Sequence, residues 1–377
     1  MAVNLNASSK DAIEAQRKIE LYRSSFVARS RGFELPKIDY LGNLSKNLDE
    51  KNIADFFISI PIKNQENIIA RVLETLIDSV DFKISIGLLF DNCNDRSLDI
   101  CKDYFEKNFE SYPNVEAVHF ITSENELFES TAENLLFLLC HQKFFVSLQA
   151  DTYFLDKNFL KKSALAFSLI PNLFAVSGRG LVLLSRLHRI RAILNKIFNF
   201  HNFVFQLLPD FKHVKKLGLY LPNLGYFGDL SRPPKSYMRY SNRQLNSIYL
   251  GQAIIRGPIV WLSKVFQELN CFDDIGFSLG RDDCDISLRG ALRGYSVGYI
   301  PCTAYSIYEE GTTRKSRRSQ DQIALDARIN LSKQFPGELN KYQQNKIELN
   351  KLAKNIQCKK IHLGDLKENS ITLSDRS

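Results

Sequence analysis

Between residues 55 and 177 the apolar positions alternate between two spacings. Continuous apolar runs over 56–60, 84–90, 115–121, 144–154 and 173–177 have the length and the aromatic or β-branched content of buried strands. Between the first two, Ile69, Val72, Leu73, Leu76, Ile77 and Val80 recur at intervals of three and four, which predicts a helix. Further helices are predicted over 98–109, 130–141 and 157–170. Pro61 stops the first run, and Asp91-Asn92-Cys93-Asn94-Asp95-Arg96-Ser97 after the second is a cluster of turn and capping residues. Strands alternating with helices imply βαβ units, a mainly parallel sheet and right-handed crossovers.

The alternation stops after residue 178. Over 181–208, Leu184, Leu187, Ile190, Leu194 and Ile197 line one helical face and Arg186, Arg189 and Lys196 another, which reads as an amphipathic basic helix or helix pair. Residues 209–246 carry Pro, Gly, Tyr and Arg without period, the mark of a long loop covering a substrate. Gly257-Pro258 predicts a helix over 260–269 with proline in its first turn. The stretch Gly280-Arg281-Asp282-Asp283-Cys284-Asp285-Ile286-Ser287-Leu288-Arg289 places acids at the start of another helix, where the macrodipole favours them. A strand over 295–300 is stopped by Pro301, and the basic run Arg314-Lys315-Ser316-Arg317-Arg318 precedes a polar tail. The expected organisation is an N-terminal extension over 1–50 with a helix at 10–29, a main domain over 51–310 with an insertion at 181–250, and a basic C-terminal extension over 311–377.

Composition narrows the classes. An apolar content of 44% with 11% aromatics, over 377 residues, is enough for a full core and excludes wholesale disorder. The formal charge of +8 favours anionic partners such as nucleotides, acidic glycans or a membrane surface. The seven cysteines include no Cys-x-x-Cys pair and no cysteine–histidine cluster, which argues against a disulfide framework and a structural zinc site and fits a reduced, cytoplasmic compartment. No apolar stretch reaches the roughly 18 residues of a spanning helix, so the expectation is a soluble or peripheral protein. The basic residues are dispersed, with no aromatic–basic module of the kind that binds nucleic acid.

The chemistry is expected at strand ends. In an open α/β sheet ligands bind beyond the carboxyl ends of the strands, so Asp151, closing the run 144–154, would stand at the mouth of a cleft. A carboxylate there holds a hard cation and, through it, a phosphate; the alternative is that Asp151 caps the next turn. The pair Asp282-Asp283 supplies adjacent carboxylates, an arrangement that raises basicity and suits a general base.

The order of these features, Pro61-Ile62-Lys63-Asn64-Gln65-Glu66 after the first strand, Asp91-Asn92-Cys93 after the second, Gln149-Ala150-Asp151, Asp282-Asp283 before Leu288-Arg289, and Gly294-Tyr295-Ser296-Val297-Gly298-Tyr299-Ile300-Pro301, resembles the family-2 glycosyltransferases over about residues 55–310. The resemblance implies a GT-A fold, a Rossmann-like three-layer α/β/α architecture with a mainly parallel central sheet, here with helical N- and C-terminal extensions. It implies a UDP- or GDP-linked sugar donor held by Pro61, Asn64, Glu66, Asp91 and Asn92, and a divalent Mn²⁺ or Mg²⁺ with diphosphate at Asp151. Asp283 would be the general base, with Asp282 as the alternative. Trp261 reads as a core residue, but the family's acceptor site lies near its helix, so stacking on an acceptor sugar is the alternative, with Asp285 also on the acceptor side. Where the family shows Asp-x-Asp this chain has Gln149-x-Asp151, and where the family places a metal-binding histidine after the last strand it offers Glu309 or Glu310.

The expected reaction is inverting transfer to a hydroxyl of a glycan or lipid-linked acceptor, in the synthesis of a surface polysaccharide such as lipopolysaccharide or capsule. The basic clusters at 186–196 and 314–318 would rest on anionic lipid at the inner face of the membrane. A nucleotidyltransferase would need a Gly-rich basic phosphate loop after the first strand, and a dehydrogenase a Gly-x-Gly-x-x-Gly; neither is present. A degenerate transferase that only binds a nucleotide or glycan is the non-catalytic alternative.

Overall fold

The computed structural model describes residues 10–30, 32, 34–46, 55–178, 181–182, 225–226, 237–238, 247–251, 253–254, 256–277, 282–300, 302, 304–306 and 361–362. Helix α1 (Lys10–Arg29) and strand β1 (Ile38–Ser45) come first, followed by β2 (Phe56–Ile62), α2 (Ile69–Asp78), β3 (Ile84–Asp91), α3 (Ser97–Asn108), β4 (Val115–Ser123), α4 (Phe128–Phe137) and β5 (Phe144–Ser147). Next are β6 (Thr152–Phe154), α5 (Phe159–Leu169), β7 (Leu173–Ser177) and the short strands β8 (Leu181–Val182), β9 (Gly225–Tyr226) and β10 (Tyr237–Met238). Then follow β11 (Ser247–Gly251), β12 (Ala253–Ile254), β13 (Ile259–Leu262), α6 (Ser263–Glu268), α7 (Asp282–Leu292), β14 (Ser296–Tyr299), β15 (Ala304–Ser306) and β16 (Ile361–His362).

Among the described residues the main sheet has ten strands in the order β1-β4-β3-β2-β5-β13-β7-β14-β11-β16. Its centre, β4-β3-β2-β5, is parallel throughout, and β7 pairs with β14 in parallel. Strand β13 enters antiparallel between β5 and β7, and β1 closes the β4 edge antiparallel. This is the mixed α/β architecture with a mainly parallel core that the alternation of periods predicts.

The period of two along each strand sorts the core into two layers. Phe56, Ile58, Ile60, Ile86, Leu88, Phe144 and Val146 face α2, α3 and α5 on one side. Phe57, Leu89, Ile121, Phe145 and Trp261 face α1, α4 and α6 on the other. Gly87 sits where Phe57 crosses β3: a Cβ there would lie 2.6 Å from Phe57 Cζ and 2.9 Å from Leu136 Cδ2. Gly87→Ala is therefore expected to cost about 1–3 kcal/mol through overpacking, read as a lowered urea midpoint; an unchanged midpoint would show that the Phe57 ring yields freely.

Two expected elements differ. The run 144–154 is not one strand: β5 ends at Ser147, Gln149 to Asp151 turn, and β6 pairs separately with β15. The helix expected over 260–269 begins as β13, because the apolar run Ile259-Val260-Trp261-Leu262 fits the slot between two strands, and only Ser263–Glu268 is helical. Helix α1, as expected at 10–29, packs against the core. Ala12, Ala15, Ile19 and Phe26 of α1 are buried, and both Tyr22 and Arg29 of α1 bond to Asp274, which Arg29 reaches at 2.8 Å. The basic helical stretch at 186–196 and the run 314–318 lie outside the described residues, as does most of the expected loop over 209–246.

Candidate active site

The topology gathers the site at one edge of the sheet. Strands β2, β3 and β5 run parallel side by side, so the segments following Ile62, Asp91 and Ser147 emerge together. Strand β13 is antiparallel to β5, with Ile259 opposite Ser147, so Arg256 and Pro258 before it arrive at the same edge. The first turn of α4, which follows β4, opens there as well.

The loops after β2 and β3 are stitched to each other through backbone donors. The N–H of Gln65 donates to Ser97 Oγ (2.7 Å), that of Glu66 to Asp95 Oδ2 (2.9 Å), that of Asn94 to Asn64 Oδ1 (2.8 Å) and that of Arg96 to Glu66 Oε2 (3.1 Å). Lys63 Nζ donates to the Asn92 carbonyl at 2.9 Å. Asn64 and Asn92 take positive φ, 50° and 46°, a left-handed conformation that asparagine tolerates better than most residues. Asp91 is buried and its Oδ1 accepts from the Leu127 N–H at 2.6 Å. Burial pushes its carboxyl up to about 6, against the opposing pull of the Leu127 N–H and the Lys63 cation. Of the residues expected to hold the donor, Asn64, Glu66, Asp91 and Asn92 thus form one rigid rim, and Pro61 lies within β2 beside it.

Under the rim, beyond β5, is a buried ionic cluster that the sequence reading missed. Arg256 is its hub. Its guanidinium lies 3.0 Å from Glu129 Oε1 and 3.1 Å from Glu133 Oε1, and it grips Asp282 through Nε at 2.7 Å and through a second nitrogen. Its Cζ stands 4.8 Å over the Phe272 ring. Burial opposes its charge, but Asp282, Glu129 and Glu133 outweigh that and hold its pKa above the ordinary value. Glu133 also accepts from Ser147 Oγ (2.7 Å) and Ser59 Oγ (3.3 Å), and burial lifts its carboxyl to about 7 although Arg256 opposes the shift.

Gln149 is part of the same cluster. Its Nε2 donates to Glu129 Oε1 at 3.2 Å, while its Oε1 is buried with no hydrogen-bond partner among the described residues. A carboxylate at 149 would face that of Glu129 directly, and two like charges in so little water repel strongly. The amide is a donor where a second acid would be a repulsion, which accounts for the departure from Asp-x-Asp.

The acidic helix start divides by burial. Asp282 is fully buried against Arg256. Asp283 is 9% exposed, and its Oδ2 accepts from the Arg256 backbone N–H at 2.9 Å. Asp285 is buried and paired at 2.6 Å with Arg289, which also donates to the carbonyls of Leu269 and Cys271 and pins the turn after α6. Trp261 is buried as well. It has no exposed surface, its Nε1 donates to Ser147 Oγ at 3.0 Å, and Phe174, Phe266 and Phe272 surround its ring. Trp261 stands in the core, the first of the two readings made for it.

Asp151 lies in the turn after β5 and is 8% exposed. Among the described residues no group of three or more His, Cys, Asp or Glu is gathered to hold a metal ion, and Glu309 and Glu310 lie outside them. The donor set at the strand end is one carboxylate, Asp151, and one orphan amide oxygen, Gln149 Oε1. Both are hard oxygen donors, the kind that would hold a Mg²⁺ or Mn²⁺.

No curated protein matches the chain. Among solved structures, S. aureus TarS 1-349 is similar at 12% identity and a TM-score of 0.40, covering 67% of this chain and 59% of that one. The mannosyltransferase PcManGT from Pyrobaculum calidifontis, in complex with GDP-Man and Mn²⁺, is similar at 13% identity and a TM-score of 0.40, covering 78% of this chain and 65% of that one. TarS 1-349 in complex with UDP-GlcNAc scores 0.39 at 12% identity, covering 67% and 57%. The chain thus spans less than two thirds of the length of each of these relatives. Residues 57–214 match the model of glycosyl transferase family 2, a segment that holds the β2–β3 rim, Glu129, Glu133 and the Gln149–Asp151 turn.

Proposed function

We propose that the domain transfers a hexose from a nucleotide diphosphate sugar to a hydroxyl of a glycan or lipid-linked acceptor, with inversion at the anomeric carbon. The observation that carries this reading is the convergence of the stitched β2–β3 rim, Asp151 and the Asp282-Asp283 pair on one sheet edge, although these segments lie far apart in sequence. In this reading the rim built by Asn64, Glu66, Asp91 and Asn92 receives the nucleoside, and Asp151 with Gln149 holds the cation beside the diphosphate. The cation's contribution when bound is to neutralise the charge of the leaving phosphate. Asp283 is the better base of the pair, because Asp282 is fully buried and engaged by Arg256. The acceptor oxygen bonds to the anomeric carbon as the bond to the diphosphate breaks, Asp283 takes the hydroxyl proton, and the nucleoside diphosphate leaves with the bonding pair. One displacement by one activated hydroxyl inverts the centre.

Titration with UDP- and GDP-sugars, with and without Mn²⁺, tests the reading. Saturable binding of at least one donor, tightened by the metal, is expected; no binding to any of them would overturn it. No helix among the described residues is long and apolar enough to cross a membrane. The net charge of +8 supports a peripheral place on the inner face of the membrane, where a surface polysaccharide such as lipopolysaccharide or capsule is built. Co-sedimentation with anionic but not neutral vesicles at low salt is the expected result, and equal recovery with both would remove the membrane from the proposal.

A further inference from the structure

We infer that Arg256 is a positioning residue that locks the base to the donor side of the site. This rests on the reading of Asp283 as the base. Arg256 bonds Asp283 with its backbone and Asp282 with its side chain, so both neighbours at the head of α7 are held by one residue. The same guanidinium reaches Glu129, and Glu129 accepts from Gln149, two residues before Asp151. The chain Asp283–Arg256–Glu129–Gln149 therefore runs without a gap from the carboxylate that takes the proton to the turn that holds the diphosphate. Glu133 and the Phe272 ring fix the guanidinium from its other sides. Two features set this apart from an ordinary structural ion pair. The fork of nitrogens serves three carboxylates from two elements, α4 and α7, which no lysine can reproduce. The residue also leads directly into β13, a strand inserted between β5 and β7, so the segment that carries it is anchored at its C-terminal end.

Arg256→Gln and Arg256→Lys test this. Placement of a reacting group is worth about 10²-fold for a displacement near 1 Å, so kcat per folded molecule is expected to fall by about that factor in Arg256→Gln, with donor Kd near wild type. The acidic limb of the kcat–pH profile should move to higher pH, since a carboxylate that loses a neighbouring cation holds its proton more tightly. Arg256→Lys should return that limb toward wild type while kcat recovers only in part. A merely structural role would lower the folded yield alone; wild-type kcat per folded molecule and an unmoved limb in both variants would overturn the inference. If neither variant folds, Asp282→Asn, which weakens the grip on the guanidinium from the other side, decides: the same drop in kcat at preserved donor affinity supports it, and wild-type kcat overturns it. A wild-type protein that binds no donor, or full turnover in Asp283→Asn, would instead remove the function on which the inference rests.

Discussion

Replacing Asp283 by asparagine is expected to lower sugar transfer by about 10²- to 10⁴-fold, the span that a positioned general base contributes, while donor affinity stays near wild type. The asparagine carbonyl can accept the Arg256 N–H that Asp283 Oδ2 accepts at 2.9 Å, so the head of α7 keeps its tether. The amide cannot take a proton from the acceptor hydroxyl at neutral pH. The loss should therefore fall on kcat, and an interaction made in the transition state lowers kcat and kcat/KM together. Steady-state rates beside a donor titration check this. Turnover close to wild type would take the base role away from Asp283.

The second large effect is on stability. Between the ordinary value of 4.5 and the raised value of about 7, the folded protein keeps a proton on Glu133 that the unfolded chain has released. Protons bound by the folded state are lost as pH rises, so this group's contribution to stability falls over that window. Glu133→Gln carries no such proton. Relative to wild type the variant should gain about 1.4 kcal/mol per pH unit across the window, to a limit of about 3 kcal/mol. The replacement is also sterically mild, since the amide can accept from Arg256 and donate to a reoriented Ser147 or Ser59 hydroxyl. Asp91 and Asp285, also raised by burial to about 6, slope the same way and cancel in the comparison. Urea unfolding of both proteins at about pH 5 and about pH 7.5 measures the difference; a difference that does not change with pH would show that Glu133 titrates as an ordinary carboxyl.

Local pattern carried much of this fold. The parallel core over 56–147 is read from apolar periodicity alone, because each strand there is buried on both faces and each helix on one. Asp151 stands out as a carboxylate at the end of an apolar run and Asp282-Asp283 as an acidic pair at a helix start, positions that need no knowledge of partners. What stayed hidden depends on contacts distant in sequence. Arg256 lies more than 120 residues from Glu129 and Glu133, and in the sequence it is one arginine after a short apolar run. Glu133 did leave a trace, an acid on the inward face of a helix between Ala132 and Leu135. A buried carboxylate needs a partner, so that trace was a pointer to a missing cation. The start of the helix expected over 260–269 proved to be strand because four apolar residues after Gly-Pro have no period of their own, and only the slot between β5 and β7 decides for strand.

The latch between α1 and Asp274 has a kinetic consequence. The sheet centre over 56–147 can assemble from neighbouring segments, but Arg29 must wait for a partner 245 residues further along the chain. Such distant closures form late and slowly, so the end of α1 that carries Arg29 gains its latch only after the segment around Asp274 is in place. During synthesis the apolar face of α1, with Ile19 and Phe26, emerges well before that segment does.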